Sequence, residues 1–276
     1  MNTTADQLSL DTLIDVTPEQ IRQFREDGFI KLKHILTPDE LRHYGDAITD
    51  HVMANNPHKD RPLEERDTYG KAFIQLGRIW ENSAVGRELT LSKRLGKIAT
   101  DLMGTRGVRL YHDQALYKEP AGGFTPWHVD QQYWPLATSQ TVTAWIPLQA
   151  TPIDMGPLEF GKGSHLKNIG RDLEIGEDSE RRIRDAIKEH GVVSSFEPYD
   201  LGEVSFHYGW TLHRAGGNTT DQPRKVHTII YMDRDMTLLD PKTENRKRDA
   251  ASWCPGVQPG EIVDSPLNPV IFDYDA

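Results

Sequence analysis

The sequence predicts a mainly β fold with flanking helices, organised as a sandwich or jelly-roll barrel. Three observations point there. From Val108 onward the chain breaks into short β-rich runs, most of them separated by Gly, Pro, Asn or Asp. Before Val108 the apolar residues recur at helical spacing behind recognisable helix starts. The 276 residues, 37% hydrophobic and 27% charged, carry no repeat, low-complexity tract or clear linker, so a single domain with a real core is expected.

The elements follow in order. Thr17 can cap a helix, Pro18 suits its first turn and Gln20 can close a capping box. Ile21 and Phe24 then share a face, and Gly28 ends the helix. "FIKLKHIL" (29–36) alternates and reads as a strand. Thr37-Pro38-Asp39-Glu40 repeats the start signal for a helix striped by Leu41, Tyr44, Ile48 and Val52. Residues 55–69 read as loop and Ser92 to Met103 as a further helix, giving a helical part at 17–105. Strands are expected in "VRLYHDQALYK", "TVTAWIPLQ", "GPLEF", "GEVSFHY" and "RKVHTIIYMD", which place the barrel core at 106–235. The charged segment 166–200 interrupts them, contains the helical "EDSERRIRDAIKEHG", and has the character of a lid over a site.

Composition excludes several function classes. With 32 Lys and Arg against 42 Asp and Glu the net charge is −10, which repels phosphate backbones, so no nucleic-acid partner is expected. The one basic run, "KTENRKRD" (242–249), reads as a solvated loop. No stretch approaches the length of a membrane span, and the opening "MNTTADQLSLDTLIDV" is polar and acidic, unlike a targeting peptide. The single cysteine, Cys254, cannot form an internal disulfide and has no assignable histidine partner for nucleophilic chemistry. A cytoplasmic protein acting on a small molecule is the expectation, and the sequence does not set an oligomeric state.

The chemistry concentrates in "PWHVDQQYWP", which begins at Pro126. Residues two apart on a strand point the same way, so His128 and Asp130 would project together while Trp127 and Val129 face away. Two histidines and one carboxylate, leaving three open positions, form the ligand set of non-haem Fe(II) oxygenases. His58-Lys59-Asp60 has the same spacing but sits in a polar, Pro-flanked loop. The third ligand is sought among His207, His213 and His227. His213 is preferred because Arg224 lies eleven positions on, an interval read as two adjacent antiparallel strands facing one cavity. Arg224 could then set its planar fork on a carboxylate, with an ordinary salt bridge as the plain alternative. His207 is the replacement ligand if His213 is a core histidine. A carboxylate held near an iron with open positions suggests a 2-oxo acid chelating that metal.

Nearly the whole chain resembles the phytanoyl-CoA dioxygenase family of Fe(II)- and 2-oxoglutarate-dependent oxygenases. The resemblance runs from "EDGFIKLKHILTPDEL" through "DQALYKEPAGGFTPWHVD" and "GPLEFGKGSH" to "LHRAGGN", "PR" and "PLNPVIF". It implies a double-stranded β-helix (cupin-like jelly-roll) core, with iron held by His128, Asp130 and His213 and 2-oxoglutarate by Arg224. Gln114 and Trp145 fall where further co-substrate contacts are implied. The implied chemistry uses Fe(II), 2-oxoglutarate and O2 to hydroxylate an unactivated C–H bond, releasing succinate and CO2. Many members carry Ser two residues after the distal histidine, where this chain has Ala215, so a hydrogen bond to the co-substrate would be lost or taken over by backbone or Asn218. A carboxylate at Asp130, in place of the small residue of related halogenases, implies hydroxylation rather than halogenation. Tyr133, Trp134 and Trp210 would lie near the mouth and line a substrate pocket, with plain packing as the alternative.

Two readings of another class stay open: a non-catalytic jelly-roll that binds a ligand or metal, and a cupin-type metal hydrolase or isomerase that needs no 2-oxoglutarate. "GPLEFGKG" imitates a phosphate-binding loop, but Gly163 stands where a Ser or Thr must reach magnesium. His112 and Asp113, adjacent on a strand, would point to opposite faces and make poor joint ligands.

Overall fold

The structure, a computed structural model, describes residues 10–276; residues 1–9 of the polar opening stretch lie outside it. The first helices form where their caps predict. In α1 (Pro18–Asp27) Thr17 and Gln20 exchange capping-box bonds of 3.2 and 2.8 Å, and Gly28 ends the helix at φ 85°. β1 (Phe29–Leu32) stops at Leu32 rather than Leu36, because His34 takes a left-handed φ of 57° and turns the chain. α2 (Pro38–Ala54) repeats the capping box with Thr37 and Glu40. Residues 55–67 are mostly turn, and His58-Lys59-Asp60 lies among them. Four short elements without clear sequence signals come next: α3 (Thr68–Ala72), β2 (Ile74–Gly77), α4 (Ile79–Asn82) and α5 (Ala84–Thr90). α6 (Lys93–Met103), capped by Ser92, closes the helical part.

The remaining elements are β3 (Gly107–Tyr117), β4 (Thr125–His128), β5 (Thr141–Pro147), β6 (Leu158–Gly161), α7 (Glu177–Glu189), β7 (Ser194–Phe196), β8 (Val204–Tyr208), β9 (His213–Ala215), β10 (Val226–Asp233), α8 (Glu244–Trp253) and β11 (Val270–Asp273). Two antiparallel sheets result. The larger has the order β1-β8-β5-β10-β3-β11, with β2 also on β3, and the smaller the order β4-β9-β6-β7. This is the expected mainly β jelly-roll with flanking helices, although β1, β2 and β11 carry it beyond residues 106–235. "GPLEFGKG" supplies strand β6 rather than a phosphate loop.

Alternation decides what each face carries. Val142, Ala144, Ile146, Val204, Phe206, Ile229 and Tyr231 join the main core with the apolar stripes of α1, α2, α5 and α6. Thr143, Trp145, His207, Thr228 and Ile230 look the other way, into a cavity between the sheets. On β3 the parity changes midway: Val108 and Leu110 face the core, and so do Ala115 and Tyr117. The cause is a bulge. Ile230 and Tyr231 pair with His112 and Leu110, which leaves Tyr111 as the extra residue and inverts the pattern. His112, Gln114 and Leu116 consequently line the cavity, while Asp113 turns into the helical layer, the opposite facing expected for that pair.

Asp113 ties the two layers together. Fully buried, it accepts hydrogen bonds from the backbone N–H groups of Ile79 (3.1 Å) and Trp80 (2.9 Å) and from Thr90 Oγ1 (2.9 Å). Burial pushes its carboxyl up to about 6. The Thr90 hydroxyl, donating to Asp113, accepts from His227 Nε2 at 2.9 Å, so His227 is a structural histidine.

Two segments add to the sequence reading. In the expected lid segment 166–200, Ile175 lines the cavity, while α7 packs on the outside of the smaller sheet, where Ile183, Ala186 and Ile187 meet Trp127, Val129 and Leu212. Its Glu180 accepts the Trp127 backbone N–H at 2.9 Å and bonds Arg214 at 3.3 Å. The basic run is not a solvated loop but most of α8, whose Asp249 and Trp253 reach the cavity. Cys254 at the end of α8 is buried, and burial pushes its thiol up to about 12. No described helix is long and apolar enough to cross a membrane.

Replacing Asp113 with Ala strands two buried backbone donors and a hydroxyl. A loss of about 3 kcal/mol in unfolding free energy is expected, read as a lowered midpoint in urea denaturation; an unchanged midpoint would show that α4 and α5 are held by apolar packing alone.

Candidate active site

The cavity between the sheets has a volume of about 330 Å³ and gathers most of the residues singled out in the sequence. β4 ends at His128, and Val129 stays extended (φ −126°, ψ 135°) before Asp130 opens a short 3-10 turn. His128 and Asp130 therefore face inward while Trp127 and Val129 pack outward beneath α7. β9 lies antiparallel beside β4, with His213 directly opposite His128. One ligand atom from each of His128, Asp130 and His213 falls within 4.8 Å of the others. Nε2 of His128 and Nε2 of His213 stand 3.5 and 3.6 Å from Asp130 Oδ1.

The backbone fixes which nitrogen each ring presents. His128 Nδ1 lies 2.8 Å from the carbonyl of Pro126, and His213 Nδ1 lies 3.0 Å from that of Thr211. A carbonyl only accepts, so each Nδ1 carries a proton and each Nε2 faces the centre. Burial presses the His213 imidazole well below its ordinary value, with the His128 ring adding to the effect. Burial alone would raise Asp130, but the facing imidazoles, His213 foremost, hold its carboxyl well below the usual carboxylate range. Two imidazoles presenting Nε2 and one carboxylate form a donor set that fits a divalent iron.

His207 stands beside this group, its ring 4.6 Å from that of His213 and its Nε2 3.4 Å from Asp130 Oδ2. Neither of its nitrogens makes a well-formed hydrogen bond, and it is not one of the three residues whose donor atoms converge. His213, and not His207, is the histidine that converges with His128 and Asp130.

Arg224 also reaches the cavity, but by a different route from the one expected. β9 belongs to the smaller sheet, and Arg224 just precedes β10 of the larger, so His213 and Arg224 line one cavity without lying on adjacent strands. Arg224 is 1% exposed, its Nε has no partner, and no carboxylate of the described residues pairs with it. One terminal nitrogen donates to the Gly156 carbonyl at 2.5 Å. A Cβ on Gly156 (φ 75°) would come within 2.4 Å of the Gly216 oxygen, so only glycine brings that carbonyl to the guanidinium. Burial lowers Arg224 to about 10, which leaves it charged at neutral pH. Among the described residues this buried cation has no anionic partner, so the ordinary salt bridge is not what forms.

The other expected residues divide. Gln114 lines the cavity and accepts from Gln75 Nε2, while Trp145 lies 4.8 Å from the Tyr199 ring and 5.4 Å beneath the Arg224 guanidinium. Tyr133 and Trp134 line the cavity, and the Tyr133 hydroxyl accepts from the Ile175 N–H at 2.6 Å. Trp210 does not line it. Its indole packs on the outer side with Leu212, with Arg171 4.5 Å from the ring. Asn218 cannot replace a missing serine at Ala215, because its side chain donates to Lys118, Glu119 and Gln222 carbonyls and closes a turn. Thr125, which the sequence reading missed, pairs with Ala215 in the β4–β9 register, lines the cavity, and carries a buried Oγ1 without a partner. Also missed were Phe73, Gln75, Asp249 and Trp253 on the lining, and Lys118, whose backbone bridges to Arg224. The Lys118 amine is fully buried, donates to the Gly123 carbonyl, and is lowered to about 6 by burial and the charge of Arg224.

Comparison with known proteins accords with this geometry. A family model described as phytanoyl-CoA dioxygenase (PhyH) matches residues 24–226, which include the triad and Arg224. The chain belongs to this family. Among curated PhyH relatives, a phytanoyl-CoA dioxygenase domain-containing protein 1 homolog from Caenorhabditis briggsae is 21% identical, over 78% of this chain and 91% of its own. A probable alpha-ketoglutarate-dependent hypophosphite dioxygenase from Stutzerimonas stutzeri is 22% identical, over 79% of each. The alpha-ketoglutarate-dependent carbocyclase SnoK from nogalamycin biosynthesis superposes at TM-score 0.76 with 26% identity, covering 94% of this chain and 97% of SnoK. EctD from S. alaskensis, solved with 2-oxoglutarate and 5-hydroxyectoine, shares the fold at TM-score 0.66 and 22% identity, over 86% and 80% of the two chains.

Lys118 predicts a pH effect. Its amine is charged in the unfolded chain up to about 10.5 but neutral in the folded protein above about 6. The unfolded state binds more protons throughout that window, so this group makes stability rise with pH there. Lys118→Met is expected to raise Tm at neutral pH, with the gap to the wild type narrowing toward pH 10 in thermal melts; a constant gap would contradict a neutral Lys118.

Proposed function

We propose that this PhyH-family protein is an Fe(II)- and 2-oxoglutarate-dependent oxygenase that hydroxylates an unactivated C–H bond of a small organic molecule. The observation that carries the reading is the pairing, in one cavity, of three convergent ligands with a buried guanidinium that lacks a counter-ion. His128, Asp130 and His213 would hold the iron. Arg224, helped by the orphaned Thr125 hydroxyl on the same lining, would take the far carboxylate of 2-oxoglutarate, the fork of the guanidinium matching that anion. Iron with 2-oxoglutarate and O2 supplies the oxidising power: 2-oxoglutarate loses CO2 and becomes succinate, one oxygen atom of O2 entering succinate and the other the substrate.

The protein's own part is ligation, orientation and exclusion of water. The protonated Nδ1 atoms of His128 and His213 stop either ring from turning its lone pair away from the centre. Phe73, Trp134 and Ile175 give the cavity an apolar wall against which a carbon framework can lie near the iron. Asp130 fills the position that a halide would need, which supports hydroxylation over halogenation.

Anaerobic addition of Fe(II) and 2-oxoglutarate is expected to give a weak visible charge-transfer band. Arg224→Ala should raise the 2-oxoglutarate concentration for half-formation by about a hundredfold, and Thr125→Val by about fivefold. Succinate release in air, stimulated by candidate small molecules, then reports turnover. Absence of the band, or an Arg224→Ala variant that binds 2-oxoglutarate like the wild type, would overturn the proposal.

A further inference from the structure

The cavity holds a carboxylate that neither metal nor co-substrate would use. Asp249 projects into it from α8, four residues before Trp253 on the same helix. Its carboxylate accepts a hydrogen bond from the bulged Tyr111 and has no cationic partner at ion-pair distance among the described residues. Arg246, one turn earlier, gives its Nε to the Gln132 carbonyl at 3.0 Å instead. Aromatic rings surround this end of the cavity. The Trp253 indole stacks on His112 with centroids 4.5 Å apart and planes at 18°, and Trp134 stands edge-on to Tyr111 at 5.6 Å and to His112 at 6.3 Å. His112, neutral through burial, leaves its Nδ1 without a partner.

Charge sorts the ligand that such a chamber can hold. The charged side chains on its lining are Asp130, Arg224 and Asp249. If the iron takes Asp130 and 2-oxoglutarate takes Arg224, one acid is left to face the substrate and no cation. An anionic group there would meet Asp249, which Arg246 behind the lining offsets only at a distance, whereas an ammonium would gain a charge-assisted hydrogen bond and the faces of neighbouring rings. We propose that the Asp249 end of the cavity binds a cationic amine, so that the substrate is a protonated amine on an apolar frame. This assignment rests on the oxygenase reading, since that reading removes Asp130 and Arg224 from the charge balance. Burial raises Asp249 to about 7, a penalty on its charged form that a bound ammonium relieves.

The test is calorimetry on the anaerobic Fe(II)–2-oxoglutarate complex with three probes sharing one ring system: tryptamine, tryptophol and indole-propionate. Tryptamine is expected to bind about tenfold or more tighter than tryptophol, and indole-propionate more weakly still. Asp249→Asn should abolish the preference for tryptamine while leaving tryptophol within about twofold. Tyr111→Phe, which keeps the acid and removes its donor, should preserve the ranking. If tryptamine binds no tighter than tryptophol, or if Tyr111→Phe levels the ranking as fully as Asp249→Asn, the proposal fails. The visible band in the same samples separates the two failures. With the band present and no amine preference, only the substrate assignment falls; without the band, the oxygenase reading falls with it.

Discussion

The site depends on the pairing of β4 with β9. That register sets His128 opposite His213, and two residues upstream of each histidine a backbone carbonyl, of Pro126 in β4 and of Thr211 just before β9, meets its Nδ1. A one-residue slip of either strand would send its ring to the outer face, among Trp127, Val129 and Leu212. The apolar outer cluster under α7 thus serves the chemistry indirectly. By burying Trp127 and Val129 it fixes the parity that turns His128 and Asp130 inward.

Around that pair the fold collects polar groups in a space that most β sandwiches fill with apolar side chains. Asp130 is held ionised among imidazoles, Arg224 is charged without a counter-ion, and Thr125 has an unpaired hydroxyl. Isolated, each such group costs on the order of 1–3 kcal/mol or more when buried unsatisfied. Their concentration in one cavity is what separates a site awaiting ligands from a core. Asp113 illustrates the contrast. Its burial is comparable, but three donors satisfy it and it works as a structural tie.

Local chemistry was legible in the sequence, and long-range pairing was not. The Thr17 and Thr37 capping boxes depend on four consecutive residues and formed as read. The i, i+2 geometry of His128 and Asp130 is equally local, and the family resemblance supplied His213 and Arg224. β2 escaped notice because four residues give no period, and its only warrant is pairing with β3. The bulge at Tyr111 depends on a partner strand more than a hundred residues away. Trp210 went to the wrong face because a turn precedes Leu212, whose outward side it shares. α8 looked like a loop because its charge-rich sequence shows only a weak apolar stripe, and the signal that was there, Asp249 and Trp253 four apart, needs the cavity to give it meaning.

The most direct test of the account is anaerobic calorimetric titration of Fe(II) into the wild type and four alanine variants. The account expects one ion per chain, a loss of about a hundredfold or more in affinity for His128→Ala, Asp130→Ala and His213→Ala, and a change of no more than about threefold for His207→Ala. Iron binding that survives removal of His213 but not of His207 would contradict it.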